Sequence, residues 1–269
     1  MLVKICAVNS KFIHSNPAVH SLTRYYYNLC EKLNIKPVDI KIHEYTVNDV
    51  YKNVLFSVLS DNPDIIAFSV YIWNIDFITK LISDIKKISP LTKIILGGPE
   101  VSFGVSLDDG IYDYIIIGEG ERAFFCLINE MTDGDTADYK EKFGFFADRK
   151  KVACREIENL SELPFIYTYD NINLFRDRII YYESSRGCPF SCSYCLSACG
   201  KGVRYLPLER VFSDIDFFLD EKNKQAVKQI KFVDRTFNGN KDRAFSIFEY
   251  IINNAGYDDE ININFHFEI

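Results

Sequence analysis

Apolar residues along the first 130 positions come in short unbroken runs, separated by longer stretches in which they recur every three or four residues. The short runs read as strands buried on both faces and the longer stretches as amphipathic helices, the alternation of a parallel sheet covered by helices. Strands are predicted at 2–8, 38–45 (VDIKIHEY), 64–70 (DIIAFSV), 93–98 (KIILGG) and 113–121 (DYIIIGEGE). A helix is predicted at Pro17–Leu33, with Asn16 as its N-cap and Pro17 at the first helical position. Others are predicted from Asn48 or Asp49 to Leu59, over 76–88 ahead of Pro90, and over 121–131. A polar, turn-rich stretch follows, then GFFADRKKVACREI, which predicts a two-stranded ribbon turning at 148–151. ENLSELPFIY comes next, where Pro164 favours an extended entry. A second series then predicts strands at 179–185, 228–238 and 261–269 with helices at 208–221 and 241–254. The expected division is an α/β domain over 1–132, a join with its ribbon over 133–177, and a second βα domain over 178–269.

With 269 residues, 48% hydrophobic and 15% aromatic, the chain can build one large or two ordinary cores. A formal charge of −7 argues against a nucleic-acid surface built on net charge. No apolar run approaches 18 residues, and MLVKICAVNSKF is too soon broken for a secretory signal, so no membrane span is expected. Eight cysteines are too sparse for a disulfide scaffold, which points to the cytosol, where thiols stay reduced and free to bind metal.

Three of those cysteines, Cys188, Cys192 and Cys195, fall within RGCPFSCSYC at CxxxCxxC spacing. Iron–sulfur clusters are normally held by four thiolates, so three closely spaced thiols suggest a non-protein group on the fourth iron. Zinc sites instead pair one CxxC with a second pair or a histidine motif, and no such partner is present. Cys199 leaves a four-thiolate cluster open as an alternative. With aromatic Tyr194 before the last cysteine, the motif resembles the signature of radical S-adenosylmethionine (SAM) enzymes, which bind a [4Fe–4S] cluster whose open iron is chelated by the amino and carboxylate groups of SAM.

The first half is similar to the flavodoxin-like doubly wound fold, whose ligands bind beyond the carboxyl ends of the strands. The loops there hold Asn9-Ser10-Lys11, the segment 69–73, Gly97-Gly98-Pro99-Glu100 and Gly118-Glu119-Gly120-Glu121. Taken singly, each glycine serves either a tight turn or close ligand approach. As a set over about 1–130, these loops resemble the cobalamin-binding domain that precedes many radical SAM domains. The resemblance implies cobalamin contacts at Asn9, Ser10, Ser69, Tyr71, Gly97, Gly98, Pro99, Gly118 and Glu119. Cobalamin-dependent mutases carry Asp-x-His-x-x-Gly after strand one, whereas His14 here is out of that frame, so cobalt is expected to lack a histidine lower ligand. Nucleotide binding in the flavodoxin manner is the alternative use of the glycine loops.

In the second half the resemblance implies that Tyr194 lies against adenine, Asp234 meets the SAM amino group, and Glu268 meets its ribose or methionine portion. Arg186-Gly187 would shape the turn into the cysteine loop, and Arg204 and Arg235 are candidates for anionic cofactor groups. The expected fold class is therefore a flavodoxin-like doubly wound parallel sheet of cobalamin-binding type followed by the first three βα units of a partial TIM-type radical SAM barrel. Because the family closes about six such units, the resemblance implies either a fragment or truncated product, which is the favoured expectation, or a barrel whose remaining surface is covered by a partner. The implied chemistry is reductive cleavage of SAM, hydrogen abstraction from a small-molecule substrate and, with cobalamin, methylation of an unactivated carbon. An electron donor of flavodoxin or ferredoxin type would be its partner. Rival readings are cobalamin-dependent rearrangement or cyclisation, a methylthiotransferase with a second cluster on Cys6, Cys30 and Cys126, and a non-catalytic cofactor-binding fragment.

Overall fold

The computed structural model describes residues 1–103, 107–132, 137–196, 202–223, 225–255 and 263–269. They form two compact units, one of Met1–Phe12 with Ala18–Glu156, the other of Ile13–Pro17 with Ile157–Ile269. No described helix is long and apolar enough to cross a membrane.

The first unit runs β1 (Leu2–Asn9), α1 (Pro17–Leu33), β2 (Asp39–Thr46), α2 (Tyr51–Leu59), β3 (Ile65–Ser69), α3 (Ile75–Ile88), β4 (Lys93–Gly97), α4 (Pro99–Phe103), β5 (Tyr114–Ile116), α5 (Gly120–Glu130), α6 (Ala137–Phe143), β6 (Phe146–Asp148) and β7 (Lys151–Ala153). Among the described residues its strands form one sheet in the order β2-β1-β3-β4-β5-β7-β6. All pairings are parallel except β6 with β7. The order 2-1-3-4-5 is that of flavodoxin-like sheets. The ribbon expected in the join instead extends this sheet, with β7 pairing along β5.

β1 is buried on both faces, which is why LVKICAV reads as an unbroken apolar run. Val3, Ile5 and Ala7 pack with α1 and α5, while Cys6 and Val8 pack with α2 and α3. Lys4, in the middle of that strand, is fully buried. Its Nζ donates to the Ser57 carbonyl at 2.9 Å, to the Ser60 carbonyl and to Ser60 Oγ at 2.8 Å, so an ammonium group closes the carboxyl end of α2. Lys4→Leu keeps the bulk but removes the three charge-assisted hydrogen bonds that tie the carboxyl end of α2 to β1, and should cost the first unit about 1–3 kcal/mol. A lower urea midpoint by circular dichroism is the expected result, and an unchanged midpoint would overturn it.

The second helix begins later than Asn48 or Asp49, because the Asp49 carboxylate accepts from Thr46 N at 2.9 Å and Thr46 Oγ1 at 3.0 Å and so closes a turn after β2. Helix α3 starts at Ile75, after Asn74. Asn74 is buried; its Oδ1 accepts from Tyr71 N at 2.8 Å and its Nδ2 donates to the Val8 and Ser69 carbonyls at 2.9 and 3.1 Å. One amide thus ties the carboxyl ends of β1 and β3.

The second unit holds β8 (Ile180–Tyr182), β9 (Ser185–Gly187), β10 (Val203–Tyr205), α7 (Leu208–Leu219), β11 (Gln229–Phe232), α8 (Lys241–Asn254) and β12 (Asn264–His266). Among the described residues, β8, β11 and β12 form a parallel sheet in the order β12-β11-β8, and β9 pairs with β10 in a separate antiparallel ribbon. Aromatic rings fill the core: Tyr182 meets Phe232 edge-on at 5.1 Å, and Phe237 lies 4.5 Å from Phe267. His14, from the short N-terminal segment, belongs here; it bridges to Ile179, and its Nδ1 lies 2.6 Å from Tyr181 Oη.

The single strand expected at 179–185 divides into β8 and β9, and β10 was not anticipated. The strand expected at 228–238 ends at Phe232, since Asp234 turns inward and a 3₁₀ turn occupies Phe237–Gly239. Of the strand expected at 261–269, residues 261 and 262 lie outside the described residues, and the observed strand is Asn264–His266.

Candidate cofactor sites

Parallel register aligns the strand ends of the first unit. Ser69 lies beside Ala7 and Gly97, and Gly97 beside Ile116, so the loops after β1, β3, β4 and β5 share one edge of the sheet. Asn9 is buried, with Nδ2 donating to Glu44 Oε2 at 2.7 Å, and His20 Nε2 lies 3.0 Å from Glu44 Oε1. The carbonyl of Asn9 accepts from Val47 N, which holds the loop after β1 against the end of β2. Ser10 is half-buried, and Ser69 is buried.

Tyr71 stacks on Trp73 with ring centres 4.4 Å apart and planes within 7°, and Trp73 is 48% exposed. This flat aromatic pair stands at the carboxyl end of β3. Gly98 adopts φ +110°, and a Cβ there would strike the Val70 carbonyl oxygen. Its conformation is therefore dictated by two backbones crossing. Pro99 opens α4, Glu119 precedes α5, and Gly118 faces open space. Open space at Gly118 and the exposed Tyr71–Trp73 face at the strand ends fit a large planar macrocycle such as a corrinoid.

Cys6, Cys30 and Cys126 are buried in the same unit. Cys6 packs on the α2 and α3 face, whereas Cys30 and Cys126 pack on the opposite face. The sheet separates them, so they cannot hold one cluster. Burial pushes the Cys6 thiol up to about 12, and a hydrogen bond with Cys154 together with burial raises that of Cys126, which keeps both protonated and inert.

In the second unit the ribbon of β9 and β10 pairs Gly187 with Val203, Arg186 with Arg204 and Ser185 with Tyr205, closing the base of the cysteine loop. Gly187 takes φ +104°, and a Cβ there would strike the Gly202 carbonyl oxygen, so only glycine lets the two strands meet at the loop's mouth. Arg186 forks onto Glu183, with Nε to Oε1 at 3.0 Å and Nη2 to Oε2 at 2.7 Å, consistent with the turn-shaping role expected of it. Arg204 donates to the Ile157 carbonyl at 2.7 Å, and Arg235 is exposed.

Within the loop Cys192 is exposed, Cys188 and Cys195 are half-buried, and none of the three is in a disulfide. Cys195 N donates to the Cys192 carbonyl at 3.1 Å, and Cys188 Sγ lies 3.5 Å from Thr236 Oγ1. Tyr194 is 90% exposed. Among the described residues, no three His, Cys, Asp or Glu side chains converge as a metal site. The donor set nevertheless fits a three-thiolate cluster: three thiols outside any disulfide, spaced along one loop with a fixed base. Cys199 lies outside the described residues.

Asp234 is 1% exposed and committed to the chain itself, accepting from Ser184 N at 3.1 Å, from Ser184 Oγ at 2.7 Å and from Ser185 Oγ. Burial raises its carboxyl above the ordinary carboxylate range, and the serine hydrogen bonds oppose that rise. Arg243 donates to the Ser184 carbonyl at 3.2 Å beside it and lies over the Tyr205 ring. Glu268 pairs with Lys231 at 3.0 Å, and its carbonyl accepts from Phe237 N. Sequence reasoning missed Asn74, Arg243 and Thr236. Asn74 and Thr236 follow apolar runs, a signal that many surface loops share, and Arg243, in the first turn of α8, carries no such signal.

Residues 19–127 match the B12 binding domain family. The chain is 28% identical over 232 residues to an uncharacterized methyltransferase of Pyrococcus horikoshii, covering 81% of this chain and 48% of that protein. It is 29% identical over 174 residues to the cobalamin-dependent radical SAM methyltransferase TokK of Streptomyces tokunonensis, covering 58% of this chain and 25% of TokK. Its fold is similar to that of the cobalamin-dependent SAM radical enzyme OxsB, solved with aqua-cobalamin and SAM bound, at TM-score 0.71 and 20% identity, covering 98% of this chain and 38% of OxsB. The chain spans about half the length of the Pyrococcus relative and a quarter of TokK. It is thus a relative of the cobalamin-dependent radical SAM methyltransferases that carries a B12-binding domain at residues 19–127.

Proposed function

We propose that this chain binds a [4Fe–4S] cluster through Cys188, Cys192 and Cys195, SAM at the open iron, and cobalamin at the strand-end loops of the first unit, and serves methylation of an unactivated carbon in a small organic substrate. The observation that carries this reading is a loop of three thiols at CxxxCxxC spacing, gripped at its base by β9 and β10, in the same chain as a match to the B12 binding domain. Bound together, these cofactors supply the electron, the radical and the methyl group.

The chain's own residues do the holding. Gly187 and the Arg186–Glu183 fork set the mouth of the cysteine loop, and the three thiols would release their protons to solvent on binding iron as thiolates. Asp234 holds the corner between β8 and β9, so a SAM amino group would be met from a carboxylate already shared with two serines. Tyr71 and Trp73 offer a flat apolar face, and Ser10, Ser69, Gly97, Pro99 and Glu119 line the edge for the corrinoid. A low-potential donor of flavodoxin or ferredoxin type is the partner this chemistry requires, and free thiols suit a reducing compartment.

The test is anaerobic reconstitution with iron, sulfide and hydroxocobalamin. Expected are a cluster signal in electron paramagnetic resonance that shifts when SAM is added, and corrinoid bands retained through gel filtration. Corrinoid washing off freely, or a signal indifferent to SAM, would overturn the corresponding part. Trp73→Ala should lower corrinoid retention several-fold by removing the stacking face while leaving iron content unchanged. Equal retention in the variant would remove the aromatic pair from the site.

A further inference from the structure

The segment that follows β11 forms a wall beside the start of the cysteine loop. Asp234 bonds Ser184 and Ser185 at the entry to β9, and Gly239 sits close enough to Pro189 that an added Cβ would lie 3.4 Å from its ring. Phe237 N, on the same segment, is tied to the Glu268 carbonyl at 2.9 Å, and Gly239 N closes the turn onto the Thr236 carbonyl at 3.0 Å. Between these fixed points Thr236 places Oγ1 3.5 Å from Cys188 Sγ, within reach of a hydroxyl–sulfur hydrogen bond. In the free chain either atom can donate. A thiolate bound to iron has no proton, so there the hydroxyl must be the donor.

We infer that Thr236 is a positioning residue that hydrogen-bonds the Cys188 sulfur and raises the reduction potential of the cluster. This rests on the cluster reading above. Adding an electron makes a cluster more negative, and hydrogen bonds to its sulfurs are among the factors that set its potential. A donor aimed at a ligand sulfur stabilises the reduced form more than the oxidised one. Thr236 would thereby make the cluster easier to reduce by its electron donor.

Two variants separate the hydroxyl from the packing. Thr236→Val keeps the shape and removes the donor; Thr236→Ser keeps the donor and removes a methyl. In the reconstituted full chain, redox titration followed by electron paramagnetic resonance should show a ratio of reduced to oxidised cluster about tenfold lower in Thr236→Val than in the native chain at the same potential. Tenfold is a shift of about −59 mV for a one-electron couple. Thr236→Ser should titrate close to the native chain. Identical potentials in the native and valine proteins, or equal shifts in both variants, overturn the inference, the second by assigning the effect to packing. Should Thr236→Val take up no iron while Thr236→Ser does, the hydroxyl serves assembly and the tuning role is likewise overturned. Failure of the native chain itself to take up iron and sulfide is a different outcome, because it rejects the cluster reading on which the inference stands.

Discussion

Cys192→Ala is expected to abolish cluster uptake: the native chain should retain roughly four iron and four sulfide after reconstitution, as a cubane requires, and the variant close to none. Cys192 is the exposed member of the set and sits between Cys188 and Cys195, so no neighbouring position can supply the missing thiolate without rebuilding the turn in which Cys195 N meets the Cys192 carbonyl. Its removal should leave the rest of the second unit intact, since β8, β11 and β12 pair without it. Far-UV circular dichroism should therefore stay unchanged while the cluster absorbance disappears. Cys199→Ala is the informative contrast. If three thiolates hold the cluster and SAM takes the fourth iron, that variant retains its iron and still responds to SAM. Loss of iron in Cys199→Ala would instead assign the cluster to four thiolates, and retention of a full cluster in Cys192→Ala would reject the motif.

The doubly wound sheet was legible because β1, β3 and β4 are covered on both faces, and burial on both faces writes unbroken apolar runs into a sequence. Helices α1 and α3 were legible because each presents one apolar stripe to that sheet. Strand β10 was not legible: Val203, Arg204 and Tyr205 are only half-buried, and their pairing with β9 is set by where the cysteine loop returns, a long-range fact no local pattern carries. The ribbon of β6 and β7 was legible as a hairpin, but its docking along β5 was not, since Lys151 and Val152 resemble any short exposed strand. The cysteine spacing is the source of the proposed chemistry, while the buried anchors around it, Asp234 with Ser184 and Ser185 and Arg243 behind them, needed the fold to bring distant residues together. Asp234 shows the limit most clearly. Its place at a strand end marked it as a cofactor residue, and the structure reveals how fully its oxygens are engaged by the chain.

Gly98→Ala should destabilise the first unit by an amount on the order of 2–4 kcal/mol, combining the cost of a left-handed backbone for an L-residue with that of a broken backbone hydrogen bond. The loops after β3 and β4 meet at this residue. Val70 N donates to the Gly97 carbonyl at 2.7 Å, and the Cβ of an alanine would lie 3.0 Å from Val70 N and closer still to its carbonyl oxygen. Neither partner is a flexible side chain that can swing aside, so the two strand ends must separate. Because the same edge is proposed to carry the corrinoid, retention of corrinoid should fall together with the urea midpoint. Gly118→Ala provides the comparison: its φ of +74° carries the same kind of backbone penalty, but its Cβ would meet nothing within 4 Å, so its midpoint should fall by less. A midpoint unchanged in Gly98→Ala would show that the crossing can relax. Corrinoid lost at an unchanged midpoint would give the glycine a different reason, the close approach of the ligand itself, and would make the second of the two uses open to it from sequence the operative one.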